Sequence, residues 1–187
     1  MKKVLGILLA LLFLKSSYGQ DFRQINWGMN KEMVMSIENE AHLLQETDSS
    51  VSYQTRPGNI EMILTYAFKK DKLEAATYLL SQKVTEDTEH LEYYEYLNEL
   101  LHKKYGKSTE QKIFSNSMKE TLKEDKAFWI VLIKLGDLLL SKTYENYNTI
   151  ITMKIEGTEF DIKNTIVYNR KQSETITPDI QEVLRLF

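Results

Sequence analysis

The alternation of apolar and polar residues between positions 60 and 68 constrains the fold of this chain more than any other feature. An extended strand sends successive side chains to opposite faces of a sheet, so apolar residues at every second position indicate a half-buried strand. Residues 51–55 alternate in the same way, and Pro57, Gly58 and Asn59 between the two segments are typical of a turn. The apolar positions of the second strand are Ile60, Met62, Leu64, Tyr66 and Phe68.

Four more segments have the pattern of strands. They cover about residues 73–80, 137–144, 149–155 and 160–170, and turn residues separate them. Together with the helices described next, they predict an α+β fold, with an antiparallel sheet or sheets and helices packed on one face.

Capping residues mark two helices in the mature chain. Asn30 is expected to cap a short helix from Lys31 to about Ala41. A long helix is expected to begin at Thr85, whose hydroxyl would cap it, and to end at Gly106. The core-facing stripe of this long helix is Tyr93, Tyr94, Leu97, Leu100 and Leu101.

Two further helices are predicted with less regular patterns. Residues 119–135 are expected to form a helix stopped by Gly136, although residues 127–133 are apolar and β-branched enough for a buried strand. Thr177 and Pro178 would open a short terminal helix. Its docking face would consist of Ile180, Val183, Leu184 and Phe187.

The chain contains few residues typical of linkers, with two prolines and seven glycines. This composition favours a single α+β domain over residues 20–187. The order helix, strands, helix occurs twice, which predicts a pseudo-repeat of two similar halves that meet near residues 107–118. The two halves share no detectable sequence similarity.

The start of the chain has the composition of a secretory signal peptide. Lys2 and Lys3 precede an apolar run over residues 4–14, and Ser17 and Gly19 occupy positions −3 and −1 of a cleavage site. The run is shorter than the roughly 20 apolar residues that span a bilayer. We therefore expect a signal peptide over residues 1–19, cleavage after Gly19, and a periplasmic or secreted product without a membrane span.

Charge and cysteine content exclude several partners and cofactors. The chain has no cysteine, so it forms no disulfide and carries neither a thiolate metal site nor a lipid on cysteine. Loss of the signal peptide removes three lysines and no acid, which moves the formal charge from −3 to −6. Nucleic-acid binding depends on clustered basic residues, so we expect no nucleic-acid partner.

Motifs for catalysis, metal binding or cofactor binding do not occur in the sequence. His90 falls on the apolar stripe of the long helix, which predicts a half-buried structural histidine. His102 lies on the polar face with Glu92, Glu95 and Glu99, where a weak metal site is possible but a solvated acidic face is favoured. The remaining histidine is His42. We therefore predict no catalytic residue, no cofactor and no metal ligand.

Tyrosine is unusually frequent, with eleven copies. Tyr93, Tyr94 and Tyr96 cluster on the long helix, while Tyr144 and Tyr147 flank a predicted hairpin. Tyrosine combines a large rigid surface with a polar tip, which suits recognition surfaces, but it fits strand faces and helix flanks equally well.

The segment after the signal peptide carries a distinctive pattern, Phe22-Arg23-x-Ile25-x-Trp27-Gly28-Met29-x-Lys31-Glu32-x-Val34. It resembles the opening of small exported bacterial proteins in which a Trp-Gly step precedes a short helix. Two later segments also resemble that family. One is Leu100-x-x-Lys103-Lys104-Tyr105-Gly106-Lys107, and the other begins at Thr149-Ile150 and continues through Gly157 to Ile166-Val167-Tyr168. At position 144, where the family pattern leads us to expect tryptophan, this chain has Tyr144. That family has no established activity, so the resemblance implies an exported α+β domain and no catalytic residues.

Three classes of function fit these features. An exported non-catalytic domain that binds a protein or cell-envelope component is favoured, with tyrosines of the long helix or of the hairpin at residues 145–148 in its contact surface. A hydrolase built on scattered carboxylates is the first alternative, which two acids facing each other across a cleft would favour. An inhibitor of a secreted enzyme is the second, and an exposed rigid loop would favour it.

Overall fold

Eight strands and three helices make up the described part of the chain, which in this computed structural model comprises residues 22–38, 41–115, 125–158 and 161–171. The helices are α1 (Lys31–Ile37), α2 (Thr88–Tyr105) and α3 (Trp129–Lys134), with single 3-10 turns at Pro57–Asn59 and Lys126–Phe128. The strands are β1 (His42–Glu46), β2 (Ser50–Thr55), β3 (Met62–Lys69), β4 (Lys72–Leu80), β5 (Thr109–Phe114), β6 (Leu138–Glu145), β7 (Thr149–Thr158) and β8 (Asp161–Arg170). The predicted α+β class is confirmed.

One antiparallel sheet contains all eight strands in the order β1-β2-β3-β4-β8-β7-β6-β5. Each half of the sheet is a meander of four sequential strands that follows a helix, α1 before β1 to β4 and α2 before β5 to β8. The last strands of the two meanders pair in the middle, where Tyr78 of β4 lies opposite Ile166 of β8. In this topology the halves join between Leu80 and Thr88, whereas the sequence pattern placed the join near residues 107–118, around β5.

The hydrophobic core lies on one face of the sheet. Leu64 and Ile166 each lie directly opposite Tyr78, and these three side chains belong to the main buried cluster. The buried side chains of α1, α2 and α3 belong to the same cluster. Of the predicted stripe on α2, Tyr94, Leu97 and Leu101 are buried and Tyr93 and Leu100 are half-buried against the core.

Two strands were not predicted, and they are the two edges of the sheet. The side chains of β1 and β5 are mostly exposed, so neither segment shows the alternation that marks a half-buried strand. The predicted helix from Lys31 to about Ala41 is correspondingly too long. It ends at Ile37, because the chain turns into β1 at His42.

Helix capping follows the sequence prediction at two of three ends. Asn30 caps α1, since its Oδ1 accepts a hydrogen bond from the Met33 amide at 2.9 Å, and Gly106 ends α2 with a φ of 81°. Thr85 does not cap α2. The carboxylate of Glu89 instead accepts hydrogen bonds from the amides of Thr85 and Glu86.

Helix α3 confirms the helical alternative for residues 129–134. It packs close to β7, where a Cβ atom added at Gly157 would lie 1.8 Å from the carbonyl oxygen of Ile133. Residues 119–124, Phe160, the expected terminal helix and the expected signal peptide lie outside the described residues. None of the helices in the described ranges has the length and hydropathy needed to cross a bilayer.

Candidate functional site: a buried carboxylate at a polar cleft

A tight turn at the start of the described chain positions Arg23. Phe22 and Ile25 exchange two backbone hydrogen bonds of 3.0 and 2.8 Å across this turn. Phe22 is anchored in the core, where its ring contacts Tyr66 and Tyr168 at centroid distances of 5.9 and 4.3 Å. Arg23 itself has a φ of 55°, a left-handed backbone conformation that residues other than glycine rarely adopt. The anchored turn therefore holds the Arg23 backbone in a strained conformation.

Glu38 lies beneath Arg23 at the end of α1. Its backbone amide donates to the Val34 carbonyl at 3.0 Å and so closes the last turn of the helix. Its side chain is only 5% exposed. The Tyr66 hydroxyl donates to Glu38 Oε1 at 2.5 Å, and Arg23 Nε lies 3.3 Å from the same oxygen. These two partners compensate for the burial of the carboxylate, which would otherwise be costly.

The surrounding phenols are held in their neutral form. Burial raises the pKa of Tyr66, and the hydrogen bond to the Glu38 carboxylate raises it further. Burial also raises the pKa of Tyr78, against the opposing effect of the Arg23 guanidinium. For Arg23, burial lowers the pKa, but Tyr78 and Glu38 outweigh that effect and the pKa is raised. At neutral pH the cluster therefore contains neutral phenols beside a permanent cation.

Arg23 and Glu38 of this cluster line a cleft of about 730 Å³. A cleft of this size falls within the range typical of small-ligand sites. The Arg23 side chain is 38% exposed, while that of Glu38 is 5% exposed. A ligand in the cleft would therefore reach the cation more easily than the carboxylate. The polar residues that line the cleft are Arg23, Gln24, Glu38, His42, Gln54 and Thr55.

The chemistry available in the cleft is hydrogen bonding to oxygen acceptors. The guanidinium group carries a fork of N–H donors, and the described contacts with Glu38 and Tyr78 use only part of it. Among the described residues that line the cleft, Glu38 is the only acid. The cation and the phenol both contact the same oxygen atom of this acid.

The histidines named from the sequence lie in separate environments. His90 is half-buried and structural: its Nδ1 lies 2.8 Å from Asn164 Oδ1, and Asn164 Nδ2 donates to the His90 carbonyl at 2.8 Å. His102 is exposed on α2, as are Glu95 and Glu99. Within the described ranges, no group of three or more histidine and acidic side chains could hold a metal ion. His42 is exposed at the cleft.

The tyrosines that the sequence suggested for a contact surface differ in their exposure to solvent. Tyr94 and Tyr144 lie in the core, and the Tyr144 hydroxyl donates to Asn98 Oδ1 at 2.7 Å. Tyr93 is half-buried. Tyr96 is 42% exposed and Tyr147, at the tip of the β6–β7 hairpin, is 94% exposed. Of these five tyrosines, only the last two present a substantial surface to a partner.

The opening sequence pattern connects distant parts of the sheet. Trp27 Nε1 donates to Thr149 Oγ1 at 2.8 Å, which connects the opening segment to β7. The Gly28 amide donates to the Leu73 carbonyl, and the Leu73 amide donates to the Met29 carbonyl, at 2.9 and 2.8 Å. The conformation of the opening segment, and with it the position of Arg23, therefore depends on contacts with β4 and β7.

Sequence reasoning missed Arg23, Glu38 and Tyr66 as a cluster. The three residues lie far apart along the chain, and only the packing of the opening turn against β3 and the end of α1 brings them together. The one available signal was Arg23 itself, a charged residue between the apolar positions Phe22 and Ile25. No protein-family model, curated protein or solved structure matches this chain.

Proposed function

We propose that this chain is an exported, non-catalytic domain that binds a protein or cell-envelope component through the cleft at Arg23. The observation that carries the proposal is the ion pair between Arg23 and Glu38. Buried Glu38 holds the guanidinium group of Arg23, whose side chain lines the cleft and is still 38% exposed. The signal-peptide pattern of residues 1–19 and the resemblance of the opening segment to small exported proteins support the location.

Binding suits this arrangement better than catalysis. A general acid or base must be free to exchange a proton with its substrate. Glu38 Oε1 is engaged by both Tyr66 and Arg23, and the side chain is buried. A charge held in this way pre-organises Arg23 for recognition, because the guanidinium loses little further freedom when a ligand binds.

The chemistry of the cleft suggests which part of the partner binds there. Arg23 suits a carboxylate or a carbonyl oxygen, and Gln24 and Gln54 add amide groups that donate and accept. Ile37 and Ala41 also line the cleft and supply apolar contact. The bound group would therefore be polar, with an oxygen acceptor next to a small apolar portion.

Affinity capture with matched variants tests this proposal. The exported protein, its Arg23→Gln variant and its Lys134→Gln variant would each be immobilised and exposed to envelope extract, and bound components would be quantified by mass spectrometry. Lys134 is the control, because it forms an ion pair with Asp87 on a different part of the surface and its loss changes the net charge equally. We expect one component to be retained by the wild type and the control but lost with Arg23→Gln.

Two results would contradict the proposal. Equal retention by all three proteins would show that the cleft is not the binding site. Turnover of a peptide, ester or glycan substrate that Glu38→Gln abolishes, with an unchanged melting temperature, would favour the carboxylate hydrolase instead.

A further inference from the structure

The sheet opens at one end between its two central strands, β4 and β8. Their last paired residues are Leu79 and Thr165, although β8 already begins at Asp161. Residues 161–164 therefore pair with β7 on one side and, within the described ranges, with no strand on the side of β4. The end of β4 and the start of β8 thus form the two sides of an opening.

The chain that leaves β4 explains this opening. The amides of Ser81 and Gln82 both donate to the Glu61 carbonyl, at 3.0 and 2.9 Å. Glu61 directly precedes β3, which lies on the other side of β4 from β8. The chain therefore turns toward β3 and away from β8 as it leads into α2.

A pocket of about 460 Å³ lies at this opening. Half of the described residues that line it are apolar and half are polar, and none of them also lines the cleft at Arg23. A cavity that combines apolar walls with a few fixed polar groups is typical of a small-ligand site. The apolar lining residues are Ile63, Leu79, Leu80, Val84 and Ile162, and the polar ones are Ser81, Gln82, His90, Asp161 and Lys163.

The apolar lining leaves surface for a ligand to cover. Ile63 and Ile162 are buried, whereas Leu79, Leu80 and Val84 are only half-buried. Apolar surface that is removed from water stabilises a complex in proportion to its area. An apolar group in the pocket would therefore gain from contact with these half-buried side chains.

His90, in the first turn of α2, supplies an oriented polar group. Asn164 Nδ2 donates to the His90 carbonyl at 2.8 Å, which leaves Asn164 Oδ1 as the atom 2.8 Å from His90 Nδ1. An amide oxygen only accepts hydrogen bonds, so Nδ1 must carry a proton. In the neutral ring Nε2 is then an acceptor, and no described residue forms a hydrogen bond with it. Asn164 is 1% exposed, so a buried group fixes this orientation.

We propose that this pocket binds a small molecule that combines an apolar body with an N–H or O–H group. The N–H or O–H group donates to His90 Nε2, and the apolar body contacts Leu80 and Val84. A donor is required because Nε2 in this tautomer offers a lone pair and no proton. This site is separate from the cleft at Arg23 and does not depend on the function proposed for that cleft.

Indole and 1-methylindole test the proposal as a matched pair. Both have the same apolar ring system, but only indole has an N–H group. Each would be titrated into isotope-labelled protein at about pH 8, where an imidazole group is neutral. Binding would be followed by NMR through the amide signals of Gln82, Val84 and Lys163. We expect indole to bind about threefold to tenfold more tightly than 1-methylindole, which is the effect of one hydrogen bond.

Three variants assign the preference for indole to one ring nitrogen. His90→Phe keeps a planar ring and removes Nε2, so it should bind the two compounds equally. His102→Phe is the matched control, because His102 is exposed on the same helix and should not affect the preference. Arg23→Gln should also retain the preference, since Arg23 lies in the other cleft.

The nitrogen-15 signals of the imidazole group give a readout in the wild-type protein that needs no variant. They should show His90 with Nδ1 protonated and Nε2 unprotonated, and the opposite tautomer would overturn the proposal. Equal affinity of the wild type for the two compounds, or binding of neither, would overturn it as well. So would a preference for indole that His90→Phe retains, or amide shifts confined to the cleft at Arg23.

Discussion

The Tyr66 hydroxyl donates a hydrogen bond to the buried Glu38 carboxylate across 2.5 Å, and this contact joins a central strand to the end of the first helix. Arg23 binds the same oxygen from the cleft side. The polar cluster therefore contributes to the stability of the fold and also belongs to the candidate site. Substitutions can separate its effect on stability from its effect on binding.

Tyr66→Phe removes the hydroxyl group that donates to Glu38 and keeps the aromatic ring in the core. A hydrogen bond to a charged group contributes about 1.5–3 kcal/mol, so the free energy of unfolding should fall by about that amount. Urea unfolding of the variant measures the change. Tyr147→Phe is the control, because Tyr147 is 94% exposed, and it should change stability by less than about 0.5 kcal/mol. Equal effects of the two substitutions would contradict the importance of the Glu38 contact.

Stability should decline at alkaline pH. Burial raises the pKa of Tyr66, Tyr78 and Tyr168 in the folded chain, whereas unfolded tyrosines ionise near about pH 10. Above that pH the unfolded chain releases protons that the folded chain retains, so this contribution to stability is complete below about pH 10 and is lost as the pH rises further. Urea midpoints measured from about pH 8 upward should show the decline, and Tyr66→Phe should make it shallower. A midpoint that does not change above pH 10 would contradict this linkage.

Leu64→Asp and Ile166→Asp should each destabilise the core strongly. Both side chains lie on the buried face and are at most 4% exposed, so either substitution buries an unpaired charge at a cost of several kcal/mol against a total stability of about 5–15 kcal/mol. Leu43→Asp on the edge strand, where Leu43 is 44% exposed, is the matched control. Thermal melting should show a large loss for the first two variants and a small change for the third. Unchanged melting of either core variant would mean that the assigned strand faces are reversed.

Gly157→Ala tests the close contact between α3 and β7. The new Cβ would overlap the carbonyl oxygen of Ile133, so α3 must move, at a cost of about 1–3 kcal/mol. Because Trp129 lies on α3, its fluorescence emission should shift. Gly106→Ala is the comparison, since no atom lies within 4 Å of its added Cβ although φ is 81°. That variant should lose stability through backbone strain with unchanged tryptophan emission, and a shift in both variants would refute the specific contact.

The amino terminus of the exported protein should be Gln20. Ser17 and Gly19 occupy the small-residue positions of the expected cleavage site, and intact-mass measurement of the exported product checks the result. A product that retains residues 1–19 and fractionates with membranes would show that the segment is an anchor.

The sequence by itself determined the elements whose signals are local. Asn30 and Gly106 mark helix ends through their own side-chain and backbone chemistry, and both are confirmed. The alternation in β3 and β8 follows from burial on one face, so Leu64 and Ile166 could be assigned to the core before the structure was known.

Only the tertiary structure decided the features that depend on distant partners. The edge strands β1 and β5 have one neighbouring strand each and carry mostly exposed residues, so their strand structure depends on pairing that leaves no alternation in the sequence. The antiparallel pairing of β4 with β8 joins segments from the two halves. The approach of Arg23 to Glu38 has the same origin, because an ion pair depends on distance in space and residues 23 and 38 meet only after the opening turn has packed onto the sheet.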